Sequence, residues 1–223
     1  MDGTLIESTP AVEATWAQFA QDYPFIDLNY VLRHSHGVRT HENMIRFCKL
    51  QNPDTIASEA KRFEETILAC AKRRQDQGLK GLVVLPGVNT LLEQLNANHH
   101  NWTIVTSATR VYANAALKIS NIRQPETFIT SENVLRGKPD PAPFLEGAKV
   151  IHQNPRDCLV LEDAPSGIQA AKAAGALVIA LLTSYPIETI KNAHPDFIVK
   201  DLSSVSTKWL NDHYEINVDT VEL

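Results

Sequence analysis

Long apolar runs are missing from this sequence, and positive charge is not in surplus. No stretch approaches the roughly 20 apolar residues that would cross a bilayer, so no membrane partner is expected. Lys and Arg number 21 against 26 Asp and Glu, a net charge of -5. Polyanions reward the opposite balance, so nucleic acid is not an expected partner either. Cysteine is scarce: Cys48, Cys70 and Cys158 are odd in number and lack metal-type spacing. They read as reduced thiols, and a cytoplasmic location is the expectation. The first residues show no basic stretch followed by an apolar one, the mark of a secretory leader. Internal repeats and low-complexity segments are missing too. What is there is 223 residues, 43% hydrophobic and 21% charged, enough for one large or two modest globular domains. A monomer is the default expectation.

Two textures follow one another along the chain. From Pro10 to about Gln77 apolar residues recur at helical spacing, as in Val12, Trp16, Phe19 and Ala20 or Ile56, Ala60, Phe63, Ile67 and Ala71. Trp16 and Phe19 read as packing residues, and "KRFEETILACAKRR" reads as a solvated amphipathic helix. From residue 82 short β-type runs take over: "WTIVTS", "TFIT", "CLVLED", "ALVIALLTS" and "DFIVK". Between them lie the helical segments "GVNTLLEQLNAN", "RVYANAALKIS", "PAPFLEGAKVIHQ" and "SGIQAAKAAG". Near-continuous apolar strands separated by helices imply an α/β fold with a parallel sheet covered on both faces. The expected organisation is a core of residues 1–9 and 86–223 with an all-helical insert at 10–85, re-entering at "LPGV". The acidic tail from about residue 212 is expected to add a strand or a short arm.

Ligands of open parallel sheets collect at the carboxyl ends of strands. After "WTIV" come Thr106, Ser107 and Ala108, which either cap the next helix or form an anion site with its free N–H groups. After "CLVL" come Glu162 and Asp163. Two adjacent carboxylates there either bind a hard divalent cation or divide between a turn-capping Asp163 and a solvated Glu162. Lys138 lies between Gly137 and Pro139, which restrain its backbone. It is either a surface lysine or a fixed ammonium for phosphate or clustered carboxylates. In "RHSHGVRT", Arg39 either reaches phosphate or pairs with Glu42, while His34 and His36 either meet substrate hydroxyls or satisfy neighbouring polar groups.

The order of these stretches carries more than any one of them. Asp-Gly-Thr at 2–4, "IVTSATR" at 104–110, "GKPDPAPF" at 137–144 and "LEDAPSGI" at 161–168 together resemble the haloacid dehalogenase (HAD)-like hydrolase superfamily. With "HSHGVRT" at 34–40, the chain looks closest to the fungal glycerol-3-phosphate phosphatase and 2-deoxyglucose-6-phosphate phosphatase group. The resemblance implies a Rossmann-like parallel-sheet core with an inserted helical cap. It also implies a Mg²⁺-dependent phosphomonoesterase for small polyol or sugar phosphates, acting through an aspartyl-phosphate. By the same resemblance Asp2 is the general acid/base and offers its carbonyl to the metal, and Lys138 bonds nucleophile and phosphate. Thr4, Ser107 and Ala108 belong to the phosphate site, with Arg39, His34 and His36 approaching from the cap. Asp163 is the direct metal ligand and Glu162 the second. A phosphomutase and a non-catalytic phosphate-ester binder are the alternatives.

The family's first block reads Asp-x-Asp-Gly-Thr, and Met1 occupies the x. The nucleophilic aspartate therefore belongs one residue before Met1, and the core strand leading into it is expected to be missing from the chain as written. Either the sequence begins at an internal methionine or the short form is genuine. In both cases residues 1–223 alone are expected to lack turnover.

Overall fold

Residues 1–98, 101–211 and 213–221 are described by the structure, a computed structural model. Its first elements are β1 (Ile6–Glu7), α1 (Thr9–Asp22), α2 (Leu28–His34), α3 (Thr40–Cys48), α4 (Pro53–Asp76) and β2 (Val83–Val84). Next come α5 (Val88–Asn98), α6 (Arg110–Ile119), α7 (Ala142–Val150), β3 (Leu159–Glu162) and α8 (Pro165–Ala174). The chain continues with β4 (Leu177–Leu181), α9 (Ile187–Lys191), β5 (Phe197–Val199), β6 (Val205–Leu210) and β7 (His213–Val218). Among the described residues no helix is long and apolar enough to cross a membrane.

The helical stretch forms where its periodicity places it. Asn52 accepts a hydrogen bond from Thr55 N and Pro53 occupies the first turn of α4, a favourable start for a helix. Ile56, Ala60, Phe63, Ile67 and Ala71 then turn inward on one face. Trp16 is fully buried, with its ring centroid 4.5 Å from that of Phe63 and 5.8 Å from that of Phe47. On the outer side of α4, Arg62 spans Glu59 and Asp22. One residue departs from the solvated reading of this helix: Glu64 is buried.

β1 and β2 pair antiparallel through Ile6–Val84 and Glu7–Val83, so the chain enters and leaves the four helices α1–α4 at one point. Farther on, β3, β4 and β5 form a parallel sheet in that order, with Val160 opposite Val178 and Ile179 opposite Phe197. β4 lies between two neighbours and its last four residues are buried, as its apolar run requires. The α/β fold expected from the alternation of strands and helices is the fold observed.

Two of the expected strands are much reduced. "WTIVTS" and "TFIT" meet in a single parallel bridge between Val105 and Ile129, with Thr106 N on Ile129 O at 2.9 Å and Ile129 N on Ile104 O at 2.8 Å. On its other flank the 102–105 segment faces β3 across a mainly apolar cavity of about 610 Å³, lined by Leu5, Ile104, Val105 and Leu159–Leu161. A segment laddered on one side only has half the hydrogen bonds of an interior strand, so its regular pairing stays short. At the end of the chain β6 and β7 form an antiparallel hairpin from Val205–Val218 to Leu210–His213. The tail is thus a strand through Val218; Asp212, Glu222 and Leu223 lie outside the described residues.

Candidate active site

The Asp-Gly-Thr turn folds back on itself at the sheet. Met1 O accepts from Leu5 N at 2.7 Å and from Ile6 N at 3.1 Å, and Gly3 N donates to Ile6 O at 2.8 Å. Gly3 has φ +70°, a conformation glycine adopts without strain. The turn delivers Thr4 to the end of β3, where its Oγ1 donates to Asp163 Oδ1 at 2.8 Å. Thr183 Oγ1 donates to the Gly3 carbonyl, and Ser184 Oγ donates to Asp163 Oδ2 at 2.6 Å. Asp2 Oδ1 accepts from Tyr112 OH at 2.8 Å.

The two carboxylates after β3 have different fates. Glu162 Oε1 meets Lys138 Nζ at 2.5 Å, and its Oε2 accepts from Asp163 N at 2.7 Å and Ala164 N at 2.9 Å. Glu162 therefore satisfies the turn that leads into α8, a task the sequence offered to Asp163. Lys138, Glu162 and Asp163 are 4%, 4% and 5% exposed, so the lysine is no surface residue. Burial works to raise Glu162, but the Lys138 ammonium, with the positive charge at Met1 and the hydrogen bonds the carboxylate accepts, outweighs it and holds the carboxyl below its usual range. For Asp163 burial comes first and the neighbouring Glu162 charge adds to it, raising the pKa from 3.8 to about 7.

This asymmetry fixes a sign. An unfolded chain releases the Asp163 proton near 3.8 and the folded one near 7, so this group's contribution to stability is complete below the lower value and is lost as pH rises through the upper one. Relative to the wild type, Asp163→Asn should flatten the fall of the urea midpoint between pH 4 and pH 7. Parallel profiles for the two proteins would contradict the assignment.

Thr109, rather than Thr106 or Ser107, caps α6, accepting from Tyr112 N at 3.3 Å. Ser107 Oγ instead donates to Gly37 O at 2.8 Å, and Ala108 N donates to Thr106 Oγ1 at 3.2 Å. Glu64 links the helical layer to α6: it accepts from Thr40 Oγ1 at 2.9 Å, from Thr109 N at 3.2 Å and from Thr109 Oγ1. Arg39 donates to Val134 O at 2.7 Å and to Leu135 O at 3.1 Å, fastening the same layer to the loop ahead of Lys138. The Gly37 loop presses so close to α8 that a Cβ there would stand 2.5 Å from that of Ala164.

Under this layer is a cavity of about 100 Å³. Asp2, His36, Ser107, Ala108, Lys138, Glu162 and Asp163 all line it, and Thr4 reaches it through Asp163. Residues from opposite ends of the chain thus share one hollow. Besides Thr4, two expected site residues do not line it. His34 is exposed, stacked on Tyr30 with Nδ1 2.7 Å from Tyr30 O, and Arg39 is held by the two loop carbonyls. Burial lowers the pKa of His36 and so favours the neutral ring, against the opposing pull of Asp2. Sequence reasoning passed over Tyr112, Glu64, Thr183 and Ser184. The last two follow directly on β4 and were open to the strand-end rule that found Ser107 and Asp163.

The profile of the family described as "Hydrolase: haloacid dehalogenase-like hydrolase" matches residues 1–175. The chain belongs to the haloacid dehalogenase-like hydrolases. Among curated relatives it is 34% identical to glycerol-1-phosphate phosphohydrolase 1 of Saccharomyces cerevisiae, across 100% of this chain and 87% of the yeast protein. It is 31% identical to 2-deoxyglucose-6-phosphate phosphatase 2 of the same yeast, across 92% of this chain and 87% of that one. A solved hydrolase from Pseudomonas syringae superposes with a TM-score of 0.72 at 28% identity, covering 91% of each chain. Phosphatases of small sugar and polyol esters are therefore among the relatives of this HAD-like hydrolase, and it is an enzyme of the phosphatase type.

Proposed function

We propose that this HAD-like hydrolase is a Mg²⁺-dependent phosphomonoesterase for small polyol or sugar phosphates, with the helices of residues 10–85 serving as a cap over a core of residues 1–9 and 86–223. The supporting observation is the shared cavity, in which Asp2, Lys138 and Asp163 converge from loops distant in sequence.

In this reading the Lys138 ammonium balances phosphoryl oxygens, and Ser107 Oγ and the Ala108 N–H turn from Gly37 O and Thr106 Oγ1 to donate to them when the ester binds. Asp2, oriented by Tyr112 OH, protonates the departing alkoxide and later takes a proton from the attacking water. In the family the carboxylate that accepts the phosphoryl group is the first aspartate of the Asp-x-Asp-Gly-Thr block whose second aspartate Asp2 matches. The α1–α4 layer, tied down by Glu64 and Arg39, excludes water while the ester is bound.

The donors suit a hard cation. Asp163, with Glu162 beside it and the Asp2 carbonyl nearby, offers oxygen only. Among the described residues no group of three or more His, Cys, Asp or Glu side chains assembles into a metal cage. Main-chain oxygen, water and the ester's own phosphate would complete the shell, as is usual for Mg²⁺. When bound, the ion withdraws charge from the transferring group.

Phosphate release from a panel of small phosphomonoesters tests the proposal, with and without Mg²⁺. The assay compares residues 1–223 with the same chain extended by an apolar segment ending in Asp ahead of Met1. Turnover is expected in the extended chain with Mg²⁺, with Asp2→Asn lowering it by about 10²–10⁴-fold. Full turnover by 1–223 alone would place the nucleophile elsewhere, and none by either chain would overturn the reading. Accumulating free phosphate separates a phosphatase from a mutase.

A further inference from the structure

We infer that Ser35 Oγ and Asn43 Oδ1 are the groups that read hydroxyls on the organic part of the ester, so that the enzyme selects polyhydroxy phosphates over alkyl phosphates of equal size. This rests on the phosphatase reading above and adds to it the residues that choose the substrate. Both residues line the 100 Å³ cavity, as do Lys138 and Asp163. Each residue is 5% exposed, and among the described residues neither atom has a hydrogen-bond partner. Buried polar atoms are ordinarily paired, and an orphan in the wall of a cavity invites a ligand that pairs it.

The two orphans are set side by side by the chain itself. Ser35 closes α2 and Asn43 lies in α3; Asn43 Nδ2 donates to Ser35 O at 3.0 Å, which fixes the amide so that Oδ1 is the atom left over. Oδ1 can only accept, while the Ser35 hydroxyl can donate or accept. Neighbouring hydroxyls on a short carbon chain satisfy both. Glu64, on the same wall, keeps one lone-pair position beyond the three donors it already accepts. Val12, Trp16 and Phe63 supply apolar surface for the carbon skeleton. An ester lacking hydroxyls would leave both orphans unpaired, and this is the basis of discrimination.

Calorimetric titration of residues 1–223 tests this without turnover, using inorganic phosphate, glycerol 1-phosphate and propyl phosphate. The wild type should bind glycerol phosphate at least about tenfold more tightly than propyl phosphate, the weight of one or two hydrogen bonds. Ser35→Ala and Asn43→Leu should bring that ratio close to one while inorganic phosphate binds as before. Asn43→Leu also strips Ser35 O of its donor; if it does not fold, Ser35→Ala, which removes only an unpartnered hydroxyl, decides alone. A wild type indifferent to the hydroxyls, or variants that keep the preference, would overturn the inference and leave the phosphatase reading standing. Failure of inorganic phosphate to bind the wild type would remove both.

Discussion

Lys138→Met is expected to lower the folding free energy by about 3–5 kcal/mol, the usual result of leaving a buried charge without its partner. Lys138 Nζ is 2.5 Å from Glu162 Oε1, also donates to Val105 O at 3.3 Å, and stands 4.7 Å from the Phe144 ring centroid. Met fills similar volume, so the loss is mainly electrostatic. Glu162 would then face Asp163 without the lysine ammonium that stood against it. Urea unfolding at pH 7 measures the loss, and acidification should recover much of it by protonating the pair. The double variant Lys138→Met/Glu162→Gln should be less damaged than Lys138→Met, since no charge is then orphaned and the amide oxygen still accepts from Asp163 N and Ala164 N. A single variant as stable as the wild type, or a double one worse than the sum of its parts, would show that the pair does not hold this strand end together.

Gly3→Ala is expected to be nearly as severe, at about 2–5 kcal/mol. A left-handed φ costs a non-glycine residue about 1–2 kcal/mol, and a forced overlap in a packed region about 1–3 kcal/mol more. At φ +70° the new methyl group would land on the Asp163 carboxylate and Ser184 Oγ. The damage should exceed that of Thr4→Val, which removes the hydrogen bond to Asp163 and leaves the turn intact. Comparing the two urea midpoints checks this. If Thr4→Val proves the more harmful, the turn is held by its side-chain bond rather than by its backbone.

Much of this site was legible because its residues sit in short contiguous blocks at strand ends. Asp2-Gly3-Thr4, Ser107, Lys138 and Glu162-Asp163 each have neighbours that constrain them, and all reach one cavity or its rim. The residues that were missed act singly and across the fold. Tyr112 lies in the middle of a helix whose pattern says only that it is buried. Glu64 belongs to a run of charges in which nothing local marks the one that turns inward. Its burial is decided by Thr40 and Thr109, which lie 24 and 45 residues away. The strands were legible where both sides are covered, as in β4, and overstated at 102–107, where one flank lacks a paired neighbour. Periodicity reports which way side chains face, while ladder length depends on what lies alongside.

The β1–β2 pair has a consequence for transplantation. Ile6 and Glu7 lie directly across from Val84 and Val83, so whatever is spliced between them starts and finishes at the same doorway. The entropy of closing such an excursion grows only with the logarithm of its length, about 0.6 kcal/mol per doubling. Inserts of quite different size can therefore be grafted at this junction with little penalty to the sheet beneath; under the proposed reading of the insert as a cap, that exchanges the choice of ester while the chemistry stays in place.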